Sequence, residues 1–109
     1  MKVLLDNNVN HRFAGLLVGH EIMSARSPGW GELFNGELIS TAEAAGFDLL
    51  VTADKQMQYQ QNLLGRRISI VVLNSLFIRL FDIAPLAPQV QSILNSSPVA
   101  GSFLVVSLK

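Results

Sequence analysis

Short apolar runs alternate along this chain with segments in which apolar residues recur at helical spacing. The short runs are typical of buried parallel strands, and the spaced segments are typical of helices that cover a sheet. Strands are predicted at residues 2–5, 20–24, 48–53, 68–73 and 103–108, and helices at residues 9–18, 35–45, 55–64 and 86–94. This order predicts an α/β fold: a three-layer α/β/α sandwich around a mostly parallel sheet of about five strands.

Local signals set the predicted boundaries. Asn8 is the expected N-cap of the first helix, and glycines at 19, 46 and 65 are expected to end the first three helices. The segment 75–85 has three interpretations: it extends the fourth strand, begins the last helix, or packs against a partner. Its apolar residues exceed what one helix or strand face buries, so some should lie in an interface with a second copy or a partner protein: Leu76, Phe77, Ile78, Leu80 and Phe81.

Length and composition narrow the class of protein. A chain of 109 residues is expected to form one domain, residues 1–109, and 50% hydrophobic with 15% charged residues argues against disorder. The apolar stretch 70–73 is far shorter than the roughly 20 residues of a membrane span. Asp6 interrupts any signal-peptide core. No cysteine is present, which excludes disulfides and thiolate ligands. We therefore expect a cytoplasmic protein with no membrane partner.

Two apolar strands are each closed by an aspartate, Asp6 after the first and Asp54 after the third. In the common strand order 2-1-3-4-5, these strands are neighbours at the point where the order reverses, which is where open parallel sheets bind ligands. Two carboxylates placed together repel unless a cation holds them or a proton is shared. Glu37, in the first turn of the second helix, is a third carboxylate expected at the same end of the sheet.

Oxygen ligands of this kind suit Mg²⁺ or Mn²⁺, which polarise a phosphodiester and activate water for attack. Each acid also has a structural interpretation: an aspartate after a strand is often an N-cap, and Glu37 complements a helix dipole. The occurrence of all three favours a metal site formed by Asp6, Glu37 and Asp54.

Four motifs in order also resemble a known family. They are LLDNNV at residues 4–9, NGEL at 35–38, VTADK at 51–55 and YQQNL at 59–63. Together they resemble the small PIN-like proteins found as toxins in bacterial toxin–antitoxin modules. The resemblance implies a PIN-like fold, a Mg²⁺- or Mn²⁺-dependent ribonuclease site, RNA as substrate and a cognate antitoxin as partner. It matches Asp6, Glu37 and Asp54 to the acidic positions of the site.

Five further side chains are candidates for contacting RNA: Thr52, Lys55, Tyr59, Gln60 and Arg66. Thr52 can hydrogen-bond a carboxylate or a phosphate, or simply pack as a β-branched strand residue. The lysine and the arginine can neutralise phosphates, or lie solvated on the surface. The tyrosine and the glutamine can contact unpaired bases, or form an exposed helix face.

Other features favour competing functions. A net charge of zero, from eight basic and eight acidic residues, removes the argument for a strongly basic nucleic-acid surface. PIN nucleases commonly carry a further acid shortly after the third, where this chain has Gln56. Both observations favour a PIN-like protein-binding module with a degenerate site. A receiver-like domain phosphorylated on Asp54 ranks third, because it normally needs an acidic pair after the first strand, where this chain has Asn7 and Asn8.

Overall fold

The computed structural model of the protein describes residues 1–33, 35–56 and 65–108. Within these ranges, five strands form one all-parallel sheet in the order β2-β1-β3-β4-β5. The strands are β1 (Lys2–Leu5), β2 (Glu21–Ser24), β3 (Leu49–Thr52), β4 (Ser69–Leu73) and β5 (Phe103–Val106). This confirms the α/β fold and the strand order that places β1 beside β3.

Both α-helices and 3₁₀ helices lie in the connections between these strands. In chain order, the described helices are a 3₁₀ helix at His11–Leu16, α1 (Asn35–Ala44), α2 (Leu80–Ile83), a 3₁₀ turn at Ala84–Leu86 and α3 (Ala87–Ser96). Parallel strands need such crossovers, which cover the two faces of the sheet. Within the described ranges, no helix is long and apolar enough to cross a bilayer.

The core is divided by the sheet into two buried clusters. On one face, alternate strand residues such as Leu5 and Val51 pack against Phe13 of the first 3₁₀ helix and against α2 and α3. On the other face, residues such as Leu4 and Leu50 pack against α1. Because successive strand residues point to opposite faces, strands buried on both sides are apolar throughout. The result is the expected three-layer α/β/α arrangement.

The first helix differs from the prediction of an α-helix at residues 9–18 capped by Asn8. The structure has a 3₁₀ helix at His11–Leu16, and the Asn10 side chain caps it by accepting the Arg12 backbone N–H at 2.9 Å. Asn8 is held elsewhere, because its Oδ1 accepts the Ala53 backbone N–H at 3.0 Å. The cap prediction for Asn8 was therefore wrong: a contact distant in sequence holds the side chain that local spacing assigned to the helix.

Other boundaries differ by smaller amounts. The last strand ends at Val106, two residues before the predicted end, and the last α-helix begins at Ala87 after a 3₁₀ turn. The segment 75–85 contains the short α2 and the 3₁₀ turn, so it leads into α3 and does not extend β4. Lys55 and Gln56 lie in a turn, and the rest of the predicted helix at 55–64 lies outside the described residues.

Candidate functional site

The carboxyl ends of β1 and β3 bring the two strand-terminal aspartates to one cleft. Leu5 pairs with Val51 in the sheet register, and the Asp6 backbone N–H donates to the Val51 carbonyl at 2.9 Å. Asp6 and Asp54 both line a cleft of about 410 Å³. This juxtaposition is the one expected at the switch point, where β1 has the next strand of the chain on one side and β3 has it on the other.

Asp6 is buried, with only 5% of its surface exposed. Its Oδ1 accepts the Asn7 backbone N–H at 2.6 Å, and its Oδ2 accepts the Thr52 hydroxyl at 2.8 Å. Burial nevertheless raises the pKa of Asp6, and the negative charge of Asp54 raises that pKa further, while the two hydrogen bonds oppose the rise. Asp6 therefore holds its negative charge at a cost that a bound cation would relieve.

Thr52 and Asn8 fix the position of Asp6. Thr52 is fully buried, and its hydroxyl donates to Asp6 while accepting the Asp54 backbone N–H at 3.1 Å. Asn8, two residues after Asp6, is tied to Ala53 by the hydrogen bond described above. These contacts join the ends of β1 and β3 directly. The Thr52 hydroxyl contacts a carboxylate, one of the two ligands considered for it from sequence.

Asp54 is half-buried and lines the cleft together with Asp6. Its Oδ1 accepts the Gln56 backbone N–H at 2.9 Å, a local turn contact that aligns the carboxylate. Lys55 and Gln56 themselves are exposed. Asp54 also lines a second, neighbouring groove together with Lys55, so it stands at the junction of two concave surfaces.

Asn7 holds in place the loop at residues 30–33, part of which lines the cleft. Its Nδ2 donates to the backbone carbonyls of Trp30 and Leu33, at 3.3 and 3.2 Å. Its Oδ1 is buried and has no hydrogen-bond partner among the residues that the structure describes. An unpaired buried acceptor costs free energy, and this one belongs to a residue that lines the cleft.

Glu32 is the acidic residue of this loop, and it lines the cleft with Asp6 and Asp54. No pattern in the sequence indicates Glu32, because only the fold of the loop from Trp30 to Leu33 brings it there. Glu37 is exposed in the first turn of α1 and is not among the residues lining this cleft. Within residues 1–33, 35–56 and 65–108, no three His, Cys, Asp or Glu side chains form a ready metal cluster.

Of the remaining predicted contact residues, the structure describes Arg66. Arg66 precedes β4 and therefore lies at the amino end of the sheet, where its guanidinium donates to Glu43 Oε1 at 3.3 Å and to Ser40 Oγ at 3.0 Å. The structure does not bring Arg66 to the cleft. Tyr59 and Gln60 lie outside the described residues.

An exposed apolar surface adjoins the site. Leu76, Phe77, Ile78 and Phe81 are 82%, 60%, 44% and 81% exposed, so these side chains are not buried within one chain, whereas Leu80 is half-buried. Three of them border the second groove, which has a volume of about 490 Å³: Leu76, Phe77 and Ile78. The expectation that this segment contacts a partner remains a prediction.

Comparison of the chain with protein-family models, curated proteins and solved structures finds no match.

Proposed function

We propose that this protein is a metal-dependent ribonuclease that hydrolyses RNA phosphodiester bonds, and that it is the toxin of a toxin–antitoxin module. The observation that supports this most strongly is the buried carboxylate of Asp6 facing the same open cleft as Asp54. The four sequence motifs that resemble small PIN-like proteins supply the choice of RNA and of an antitoxin partner.

The chemistry of the cleft fits Mg²⁺ or Mn²⁺. Both Asp6 oxygens accept one hydrogen bond each and retain lone pairs, and the buried Asn7 Oδ1 is unpaired among the described residues. Magnesium is usually bound through one or two carboxylates, with waters and phosphate oxygens completing its shell. Two aspartates therefore suffice to hold such an ion, and no complete cage of protein ligands is required.

Residues around the aspartates position them for this role. Thr52 fixes the rotamer of Asp6, and the Gln56 backbone N–H orients Asp54. When bound, the ion would polarise the scissile phosphate and make water more acidic. The chain itself would hold the carboxylates in place and keep one side of the cleft open to a strand of RNA.

The identity of the third acid is a specific part of this proposal. The motif resemblance favours Glu37, whereas the cleft is lined by Glu32. We expect Glu32→Gln to weaken Mn²⁺ binding in titration calorimetry more than Glu37→Gln does, because Glu32 lines the cleft and Glu37 does not. The two variants are matched, since each substitution removes one charge from an exposed side chain. Equal effects would show that neither acid contacts the ion preferentially, and a larger effect of Glu37→Gln would restore the assignment from sequence.

A second candidate function is a catalytically degenerate protein-binding module, favoured by the exposed apolar side chains of residues 76–81. Purified protein incubated with single-stranded RNA distinguishes the two functions. We expect cleavage in Mn²⁺, none after chelation, and none by Asp54→Asn. If no RNA is degraded with either Mg²⁺ or Mn²⁺, while a partner protein is bound, the module is the better description.

A further inference from the structure

The groove next to the cleft offers a largely apolar surface beside Asp54. It is lined by Ala53, Asp54, Lys55 and the segment from Ser75 to Arg79. Because Asp54 lines both concave surfaces, a strand whose phosphate lies at Asp54 must place an adjacent nucleotide close to this groove. The volume of about 490 Å³ is in the range of small-molecule binding sites.

Phe77 and Arg79 give the groove the chemistry of a base-stacking site. Phe77 is 60% exposed, and the Arg79 guanidinium lies 5.8 Å from the Phe77 ring centre and 6.0 Å from the Phe81 ring centre. Arg79 is also held by Asp82 through an ion pair at 2.7 Å, which limits how far the guanidinium can move. Unpaired bases stack on aromatic rings and on guanidinium planes of this kind.

Lys55 supplies a positive charge that favours binding of a nucleic-acid strand in this groove. It is exposed and lines the groove next to Asp54, so it brings a positive charge to the place where a phosphate would pass. The opposite charge of Asp82 offsets that of Arg79, and this leaves Arg79 better suited to stacking than to phosphate contact.

We infer that this groove binds an unpaired nucleobase of single-stranded RNA, stacked on Phe77, while the adjacent phosphate lies at Asp54. The inference rests on the proposed function for the identity of the strand. It deepens that function by naming the residue that selects unpaired RNA. In a duplex the bases are stacked within the helix, so their faces cannot reach Phe77.

A protein partner is the competing occupant of the same surface. At roughly 200 Å² for a large side chain, the four exposed residues present about 500 Å² of apolar surface, which is within the size of functional patches on monomers. RNA is favoured over protein because the groove shares Asp54 with the cleft and carries a lysine at its edge. Neither feature is needed by an apolar protein interface.

The test measures the binding of a short, fluorescently labelled RNA by anisotropy in excess chelator, so that no cleavage occurs. Every protein in this assay, including the one that is wild type at residue 77, carries Asp54→Asn, because the Asp54 carboxylate without metal would repel the phosphate. The single strand and its duplex are compared on wild type, Phe77→Leu and Phe77→Trp. Leucine retains apolar bulk and lacks the aromatic face, whereas tryptophan retains the face. We expect Phe77→Leu to weaken single-strand binding about 5- to 100-fold, Phe77→Trp to preserve it, and the duplex to bind weakly to all three proteins.

Val99→Ala is the matched control, because Val99 is 80% exposed and precedes β5 at the opposite end of the sheet. It should leave binding unchanged. Phe77 is exposed, so its substitution should not unfold the protein, and thermal melting checks this. Equal binding by wild type and Phe77→Leu, equal binding of duplex and single strand, or no binding by wild type would each overturn the inference.

Sedimentation of the same variants addresses the competing occupant. A dimer or partner complex that both Phe77→Leu and Phe77→Trp disrupt, with RNA binding unaffected, would assign the groove to a protein and overturn the inference. Because chelator removes any cleavage, the two proposals fail separately. Stacking without any cleavage in Mn²⁺ would refute only the ribonuclease, and cleavage that does not depend on Phe77 would refute only the stacking site.

Discussion

Replacing Asp6 with asparagine removes a buried negative charge while keeping a side chain of nearly the same shape. In wild type, burial and the charge of Asp54 raise the pKa of Asp6 in spite of hydrogen bonds from Thr52 and the Asn7 backbone. The ionised carboxylate is therefore a net cost to the folded protein at neutral pH. Without metal, we expect Asp6→Asn to be more stable than wild type.

Two opposing effects at residue 6 set the size of this gain in stability: removal of the buried charge and loss of one hydrogen-bond acceptor. Each unit by which folding raises a carboxyl pKa costs about 1.4 kcal/mol above that pKa. The asparagine loses part of this gain, because its amide accepts at one atom only, where the carboxylate accepts at two. Single stabilising substitutions, surface-charge changes among them, commonly gain about 0.5–2 kcal/mol in the free energy of unfolding, and a gain of about 1 kcal/mol corresponds to a rise in Tm of about 4 °C for a chain of this size.

Metal should reverse the order of stability. A ligand that binds only the folded state at about 100 times its Kd adds about 2.7 kcal/mol, and this gain should appear in wild type and be lost in Asp6→Asn. Thermal melting with chelator and with Mn²⁺ measures both effects. Asp48→Asn is the control: Asp48 is an exposed carboxylate at the amino end of β3, where it accepts the Lys2 backbone N–H at 2.8 Å. It should show neither the gain nor the metal dependence. A lower Tm for Asp6→Asn without metal would refute this reasoning and identify Asp6 as a structural cap.

Four further outcomes are expected. Folding raises the pKa of Asp6 above its ordinary value of 3.8. The stability of wild type relative to Asp6→Asn should therefore be highest below pH 3.8 and fall as the pH rises towards the raised pKa. Urea unfolding across this pH range measures the change. Gln56→Asp should speed RNA cleavage in Mn²⁺ by adding an acid next to Asp54, and an unchanged rate would mean that a missing ligand is not the limitation. Arg66→Ala should lower Tm slightly and leave cleavage unchanged, because Arg66 contacts Glu43 away from the cleft. Phe13→Ala should cost about 3–5 kcal/mol in chemical denaturation, because the ring is fully buried against the sheet.

The strands of the sheet could be predicted from sequence because they are buried on both faces. Such strands are apolar at nearly every position, as at residues 49–51 and 70–73, so they differ clearly from the helices between them. The common order of open parallel sheets then placed β1 beside β3. The first helix was less predictable, because the hydrogen bond from Ala53 to Asn8 crosses between strands and leaves no local signal.

The residues of the candidate site could be predicted from sequence only where they follow the ends of strands. Asp6 and Asp54 follow strands, and the sheet order alone brings them together. Glu32 reaches the cleft through a loop held by Asn7, and no spacing rule gives the path of such a loop. Arg66 was a candidate for RNA contact because of its charge alone, and a residue that precedes a parallel strand lies at the end of the sheet away from the cleft.

The most direct test of the account measures the rate at which wild type and Asp54→Asn cleave single-stranded RNA as Mn²⁺ is added and then chelated. Both proteins should fold equally well by circular dichroism, since Asp54 is half-buried and its side chain accepts only the Gln56 backbone N–H among the described residues. We expect cleavage by wild type that rises with Mn²⁺ and stops on chelation, and no cleavage by Asp54→Asn. Equal rates for the two proteins, or cleavage that persists in chelator, would contradict it.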